Sequence, residues 1–345
     1  MRIEVQQGFS FLPTRENGYG YTELVALPNG KAIGLSCNTS DRIYRLQIFE
    51  GEEVRYLNFP EDLFDNSTAS NVLFALGNQP VVLTRKLFVI FVSEGLNSFE
   101  VSVIQNSSKV FTERELDVQM PQFGLHSANS VNGEVLLSMS YSSLHKQNEI
   151  IKVSIAKEKL SAELVPLYST KTGFLKKTHH YRGSLNLEQF PKNFGYPTWS
   201  SAPILYSILN LEDHFLIFSC GDWLVKGSGH SYNCISQITN DLVLKEHLYV
   251  ENYHRNSDGK HLGKFGVFSS DCSHCIVTPK YKKKDENNWF GKQKVFVLAT
   301  NAFEDILLPR GYTKYSLLDI NGQDCWLEYW DKVKKVKNVV RGKRK

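Results

Sequence analysis

The sequence predicts an all-β chain built from repeated sheets. Three observations carry this. Short runs rich in Val, Ile, Leu, Phe and Tyr alternate with clusters of Gly, Asn, Asp and Ser along most of the 345 residues. Helical periodicity is nearly absent. Six times, an extended segment ends in a tight polar turn and an apolar run follows at once, at intervals close to regular.

The six turns are Pro28-Asn29-Gly30, Gly77-Asn78-Gln79, Asn132-Gly133, Glu212-Asp213, Asp271-Cys272-Ser273 and Asn321-Gly322. Anchored on Gly30, Asn78, Gly133, Asp213, Ser273 and Gly322, the spacings are 48, 55, 80, 60 and 49 residues. The long third interval contains 168–200, a segment of 33 residues rich in Lys, His, Gly and Pro. Without that insertion the interval is 47 residues.

Each interval holds further strand-like runs: 42–49 and 53–59, then 98–105 and 109–116, then 149–155 and 162–167, then 232–238 and 242–250, then 294–299 and 305–308. Four antiparallel strands recurring about every 50 residues describe a β-propeller blade. The sixth unit has too few strands after 326–329. The N-terminal run 2–11 is predicted to supply its outer strand, because an open array would leave sheet edges free to pair with other chains. The expectation is a single six-bladed β-propeller over 1–331, closed by the N-terminal strand, with five or seven blades as alternatives.

In these turns and runs the chain resembles β-propellers in general, and loosely the blades of sialidases, whose turns are often Asp-Gly or Asn-Gly before an apolar strand. Ser269-Ser270-Asp271-Cys272-Ser273 has the Ser-x-Asp of the sialidase Asp-box but lacks its glycine and closing aromatic, and it falls on the first hairpin of its unit. Tryptophan–aspartate-repeat and kelch signatures are missing. The resemblance implies an architecture rather than a family.

Charge is unevenly placed. Residues 332–345 carry eight basic groups and no acid, so in a chain of net charge +4 the remainder sums to −4. This segment reads as a basic C-terminal tail, either a solvated terminus that can form part of an edge strand, or an arm for nucleic acid or an anionic membrane surface. No apolar run reaches the roughly 18–20 residues of a membrane helix. Glu4, Gln6 and Gln7 interrupt the apolar core a secretory signal needs, so a cytoplasmic location with reduced thiols is expected.

Sequence signatures of nucleophilic, phosphate-binding and zinc-protease sites are absent: no G-x-S-x-G, no G-x-x-x-x-G-K-[ST] and no H-E-x-x-H occurs. Cys272-x-x-Cys275 has zinc-knuckle spacing, but its only nearby second pair is Cys220 and Cys234. No metal ligand set and no cofactor is assigned.

Chemistry-bearing side chains gather instead in predicted loops, where function concentrates on rigid scaffolds. Those loops include 86–97, 168–200, 220–232, 251–264 and 279–292. The insertion supplies His179, His180, Tyr181, Arg182 and Trp199. The loop 220–232 adds Asp222, Trp223 and His230, and the next loop adds His254. Aromatic platforms beside imidazoles and one acid suit a binding face. The expected function is non-catalytic binding or scaffolding of a protein or other macromolecular partner. The alternatives are a glycan-active hydrolase or lyase acting on carbohydrate at the same face, and a nucleic-acid accessory protein using the tail.

Overall fold

The computed structural model describes residues 1–5, 12–13, 15–16, 19–38, 43–59, 72–76, 79–84, 88–93, 95–96, 98–103, 122–123, 127–130, 134–140, 148–156, 159–165, 198–199, 204–225, 228–239, 244–254, 264–279, 293–308, 315–331 and 336–345. These residues are almost entirely β. The short strands β1 (Ile3–Val5) and β2 (Leu12–Pro13) come first. Strands β3 (Arg15–Glu16), β4 (Tyr19–Leu27), β5 (Lys31–Asn38), β6 (Ile43–Glu50) and β7 (Glu53–Asn58) then form a sheet in chain order. So do β8 (Val72–Leu76), β9 (Gln79–Leu83), β10 (Phe88–Val92) and β11 (Phe99–Val103).

The next strands are β12 (Gln122–Phe123), β13 (Ser127–Ser130), β14 (Glu134–Ser140), β15 (Asn148–Ala156) and β16 (Lys159–Val165). Their sheet runs β12-β14-β15-β16, while β13 leaves it. After these come β17 (Thr198–Trp199), β18 (Ile204–Asn210), β19 (His214–Val225), β20 (Ser228–Thr239) and β21 (Leu244–His254), in the order β13-β18-β19-β20-β21 with β17 also on β19. A further sheet comprises β22 (Lys264–Phe268), β23 (His274–Pro279), β24 (Lys294–Val297) and β25 (Ala302–Asp305). Finally β26 (Tyr315–Asn321), β27 (Asp324–Asp331) and β28 (Val336–Arg344) are joined by β1 and β2 from the other end of the chain. Repeated antiparallel sheets of this kind are a β-propeller arrangement.

Several expectations are corrected. A count of six does not hold: of the five blade sheets, three follow chain order without interruption and two are linked by β13, which leaves its chain neighbours for β18, whereas the last three strands share a sheet with strands from the opposite end. The predicted loop 86–97 contains β10, whose five residues Phe-Val-Ile-Phe-Val are all apolar. The predicted strand 109–116 lies outside the described residues. The segment before Asn132-Gly133 does not fold back on β14; β13 runs parallel to β18, with Ser127 opposite Ser207 and Ser130 opposite Asn210. The short strand expected at 305–308 is β25, which ends where that range begins. The basic segment is not a free tail. Its residues 336–344 are β28, hydrogen-bonded to β27 on one side and β1 on the other. Val339 and Val340 are fully buried, and it is their apolar area that holds this basic strand in the sheet.

Two compact units can be separated. The first comprises Met1–Ile104, Phe268–Ile276 and Gln293–Lys345. Within it the middle strands are buried on both faces: β5 and β6 are buried along almost their whole length, while β7 alternates between exposed and half-buried positions. An aliphatic core joins Val25, Ile33, Leu35, Leu46 and Ile48 to Leu73, Val82, Ile90 and Val92. A second joins Ile3, Ile276, Val295, Leu317, Ile320, Leu327 and Val340. Between them Ala26, Ala32, Phe49, Trp326 and Val339 pack together, with the Phe49 and Trp326 rings 6.1 Å apart. The hairpin between β26 and β27 turns at Gly322, whose φ of +60° suits glycine.

The second unit comprises Gln105–Val267 and Val277–Lys292. Among its described residues, Ile208, Leu209, Phe215, Leu216, Ile217, Phe218, Cys234 and Ile235 are buried. The Ser207 hydroxyl donates to the carbonyl of Gly266 at 2.8 Å.

Candidate functional site

The candidate site is the far half of the β19–β20 hairpin. Each strand is twelve residues long. Pairing runs without a break from His214 opposite Thr239 to Val225 opposite Ser228. The near half is held by burial of Phe215–Phe218. Beyond Cys220, β18 ends its pairing, and β17 takes over with Thr198 opposite Leu224 and Trp199 opposite Trp223. On the other side β21 follows β20 outward as far as His254.

This register aligns four predicted site residues. Trp199 pairs with Trp223, Trp223 with His230, and His230 with His254, so the four occupy one row across β17, β19, β20 and β21. Asp222, opposite Ser231, belongs to the adjacent row, and successive rows alternate between faces of a sheet. His179, His180, Tyr181 and Arg182 lie outside the described residues. The predicted loops 220–232 and 251–264 are corrected in part. All of their described residues up to His254 are strand, because glycine and polar residues, which read as loop in sequence, are held here by a continuous ladder.

The sequence reading missed a second polar constellation, in the first unit. Asp319 is 4% exposed. A bulge between Leu317 and Asp319 breaks the alternation of β26. Its carboxylate accepts hydrogen bonds from the backbone N–H of Ala26 at 2.6 Å, Ser270 at 2.8 Å and Ile320 at 2.7 Å, and from the Ser270 hydroxyl. Burial pushes its pKa up to about 7, against the lowering effect of those donors. Asp271 organises the β22–β23 turn by accepting from the Ser269 hydroxyl at 2.6 Å, Ser273 N–H at 3.1 Å and Gly322 N–H at 2.9 Å. These carboxylates fasten turns to strands. A lone Asp inside the apolar run Leu-Leu-Asp-Ile was the available signal.

His274 is buried beside Asp271, Ser273 and Arg344; an Arg344 guanidinium nitrogen lies 3.1 Å from its Nε2. The same guanidinium nitrogen lies 3.5 Å from Nδ1. Burial first, and the Arg344 charge among the smaller causes, hold its pKa below the ordinary value. Neither Cys272 nor Cys275 is in a disulfide, and burial pushes the Cys272 thiol up to about 12. Among the described residues no group of three or more His, Cys, Asp and Glu is placed to hold a metal.

The basic strand β28 is partly neutralised. Arg341 pairs with Asp324 at 2.8 Å and Lys345 with Glu4 at 2.6 Å.

No family matches the chain, and no curated protein does. Among solved structures it is similar to a neuraminidase-like protein of A/flat-faced bat/Peru at 8% identity, over 99% of this chain and 92% of that one, with a TM-score of 0.39. It is similar to Drosophila plexin A in complex with semaphorin 1b at 9% identity, over 94% and 73% of the two chains, with a TM-score of 0.39. It is similar to YCF48 bound to D1 peptide at 9% identity, over 97% and 98%, with a TM-score of 0.33. The chain is an all-β protein with a β-propeller arrangement and no specific family. No helix among its described residues is long and apolar enough to cross a membrane.

Proposed function

We propose that this is a non-catalytic binding or scaffold protein that engages a protein partner through the far half of the β19–β20 hairpin. The supporting observation is the row Trp199–Trp223–His230–His254. Directly opposed positions neighbour one another across a ladder, and tryptophan is among the residues enriched at binding hot spots. Asp222 flanks the row, and His179, His180, Tyr181 and Arg182 from the insertion complete the proposed face. Cys37, Cys234, Cys272, Cys275 and Cys325 are in no disulfide, which fits a reducing, cytoplasmic setting.

The test is affinity capture with full-length bait and a Trp199→Ala/Trp223→Ala variant of matched stability. The reading expects a stoichiometric partner whose binding weakens by at least about 1 kcal/mol in the variant. Equal capture by both baits rejects this face. Turnover of a glycan by the purified chain, lost in Asp222→Asn, rejects the non-catalytic reading. Truncation at Asp331 is no test of the basic segment, because it removes β28.

A further inference from the structure

We propose that protonation of His274 loosens the docking of β1 on β28, so that acid uncovers the edge of β28 at Gly342–Arg344. The carrying observation is the contact between His274, at the start of β23, and Arg344, at the end of β28. Both belong to the first unit. One guanidinium nitrogen of Arg344 lies 3.1 Å from Nε2 and 3.5 Å from Nδ1 of an imidazole that is only 5% exposed. A neutral imidazole has one acceptor nitrogen to offer a guanidinium. An imidazolium has none, and a guanidinium only donates. Protonation therefore sets donor against donor and cation against cation in a half-buried space, where salt screens little.

The acids facing His274 are already engaged. On the β22–β23 turn, Asp271 accepts from Ser269, Ser273 and Gly322, and the Ser273 hydroxyl is hydrogen-bonded to Nδ1. On β25, Glu304 is held 3.0 Å from the Met1 ammonium. On β27, the Cys325 thiol, which burial pushes up to about 12, stays neutral. Burial weighs most against the charged imidazole; Asp271 and Glu304 favour it, and Arg344 and the Met1 ammonium oppose it. The net effect lowers the pKa, so the contact is intact above the ordinary histidine value of 6.5 and is lost as pH falls below it. Arg344 stands directly opposite Ile3 in a pairing of only three residues, and the Lys345 N–H donates to the Arg2 carbonyl at 2.9 Å. A strand held by so few backbone bonds opens more readily than a central one. An uncovered strand edge is a place where another strand can add. The inference goes beyond the partner-binding reading and does not depend on it, since the tryptophan row lies in the second unit.

The experiment is residue-resolved amide hydrogen exchange of the purified full-length protein between pH 7.5 and 5.0, expressed as protection relative to the intrinsic rate at each pH. The reporters are the Lys345 amide and the Ile3 amide, which donates to the Leu307 carbonyl. Their protection should fall at least about threefold on acidification, and that of Leu46 and Ile48 in β6 should fall less. His274→Gln should abolish the local fall, and Arg344→Gln, which keeps the imidazole but removes the opposing charge, should reduce it. Circular dichroism at pH 7.5 verifies that both variants fold. Unchanged protection in the wild type, an equal fall at Leu46 and Ile48, or a fall in His274→Gln as large as in the wild type would each overturn the proposal.

Discussion

A carboxylate among apolar side chains must be met donor for donor. Asp319 accepts from three backbone amides and one hydroxyl, and all four are donors. Asparagine has nearly the same shape but turns one acceptor into a donor, which would then face an N–H or O–H. Asp319→Asn should therefore destabilise the protein by about 1–3 kcal/mol, read as a lower urea midpoint at pH 7. Space is as restrictive as polarity at Gly266, where an added Cβ would lie 2.1 Å from the Phe218 ring. Phe218 is fully buried, so the ring has nowhere to go. Gly266→Ala should cost about 1–3 kcal/mol or more by overpacking, with Phe218→Leu in the same background restoring part of the loss.

At the scale of elements, β1 is three residues long yet carries a large share of its sheet. It pairs with β28 through Ile3 opposite Arg344, Glu4 opposite Lys343 and Val5 opposite Gly342. Ile3 is 1% exposed and sits in the core with Leu327 and Val340. Ile3→Ala should cost about 2–5 kcal/mol, measurable by thermal unfolding. A comparable loss from the surface change Arg2→Ala would show that the apolar anchor is not what holds this strand.

Across the whole molecule, two buried titrations oppose one another. His247 accepts or donates at Nδ1 with the Ser236 hydroxyl at 2.9 Å, and burial lowers its pKa from 6.5 to about 4. The unfolded chain binds this proton first, so the contribution is intact above pH 6.5 and is lost as pH falls toward 4. The loss is on the order of 3 kcal/mol at one pKa unit per 1.36 kcal/mol. Asp319 runs the other way: its pKa is raised from 3.8 to about 7, so the folded chain binds the proton first. Its contribution is present below 3.8 and lost as pH rises toward 7. Between pH 4 and 6.5 wild-type stability should thus vary less than that of either variant. Urea midpoints should fall on acidification in Asp319→Asn and change the opposite way in His247→Gln. Parallel curves for all three proteins would contradict both assignments.

Strand runs and turns were legible because they are local. Apolar β-formers bounded by Gly, Asn and Asp specify a hairpin within about a dozen residues, as at Gly30 and Gly322. The all-β repeat class and many strand positions followed from those runs. Partner choice was not legible. Nothing near Ser127–Ser130 announces a parallel neighbour around 80 residues away, and nothing in the basic run announces a strand except Val336, Val339 and Val340. The row Trp199–Trp223–His230–His254 likewise exists only once β17, β19, β20 and β21 are in register. Backbone preference is set by each residue and its neighbours, whereas register is set by which apolar faces find one another across the fold. The sequence by itself therefore determined the class and the building blocks, and the tertiary structure alone decided which side chains stand side by side.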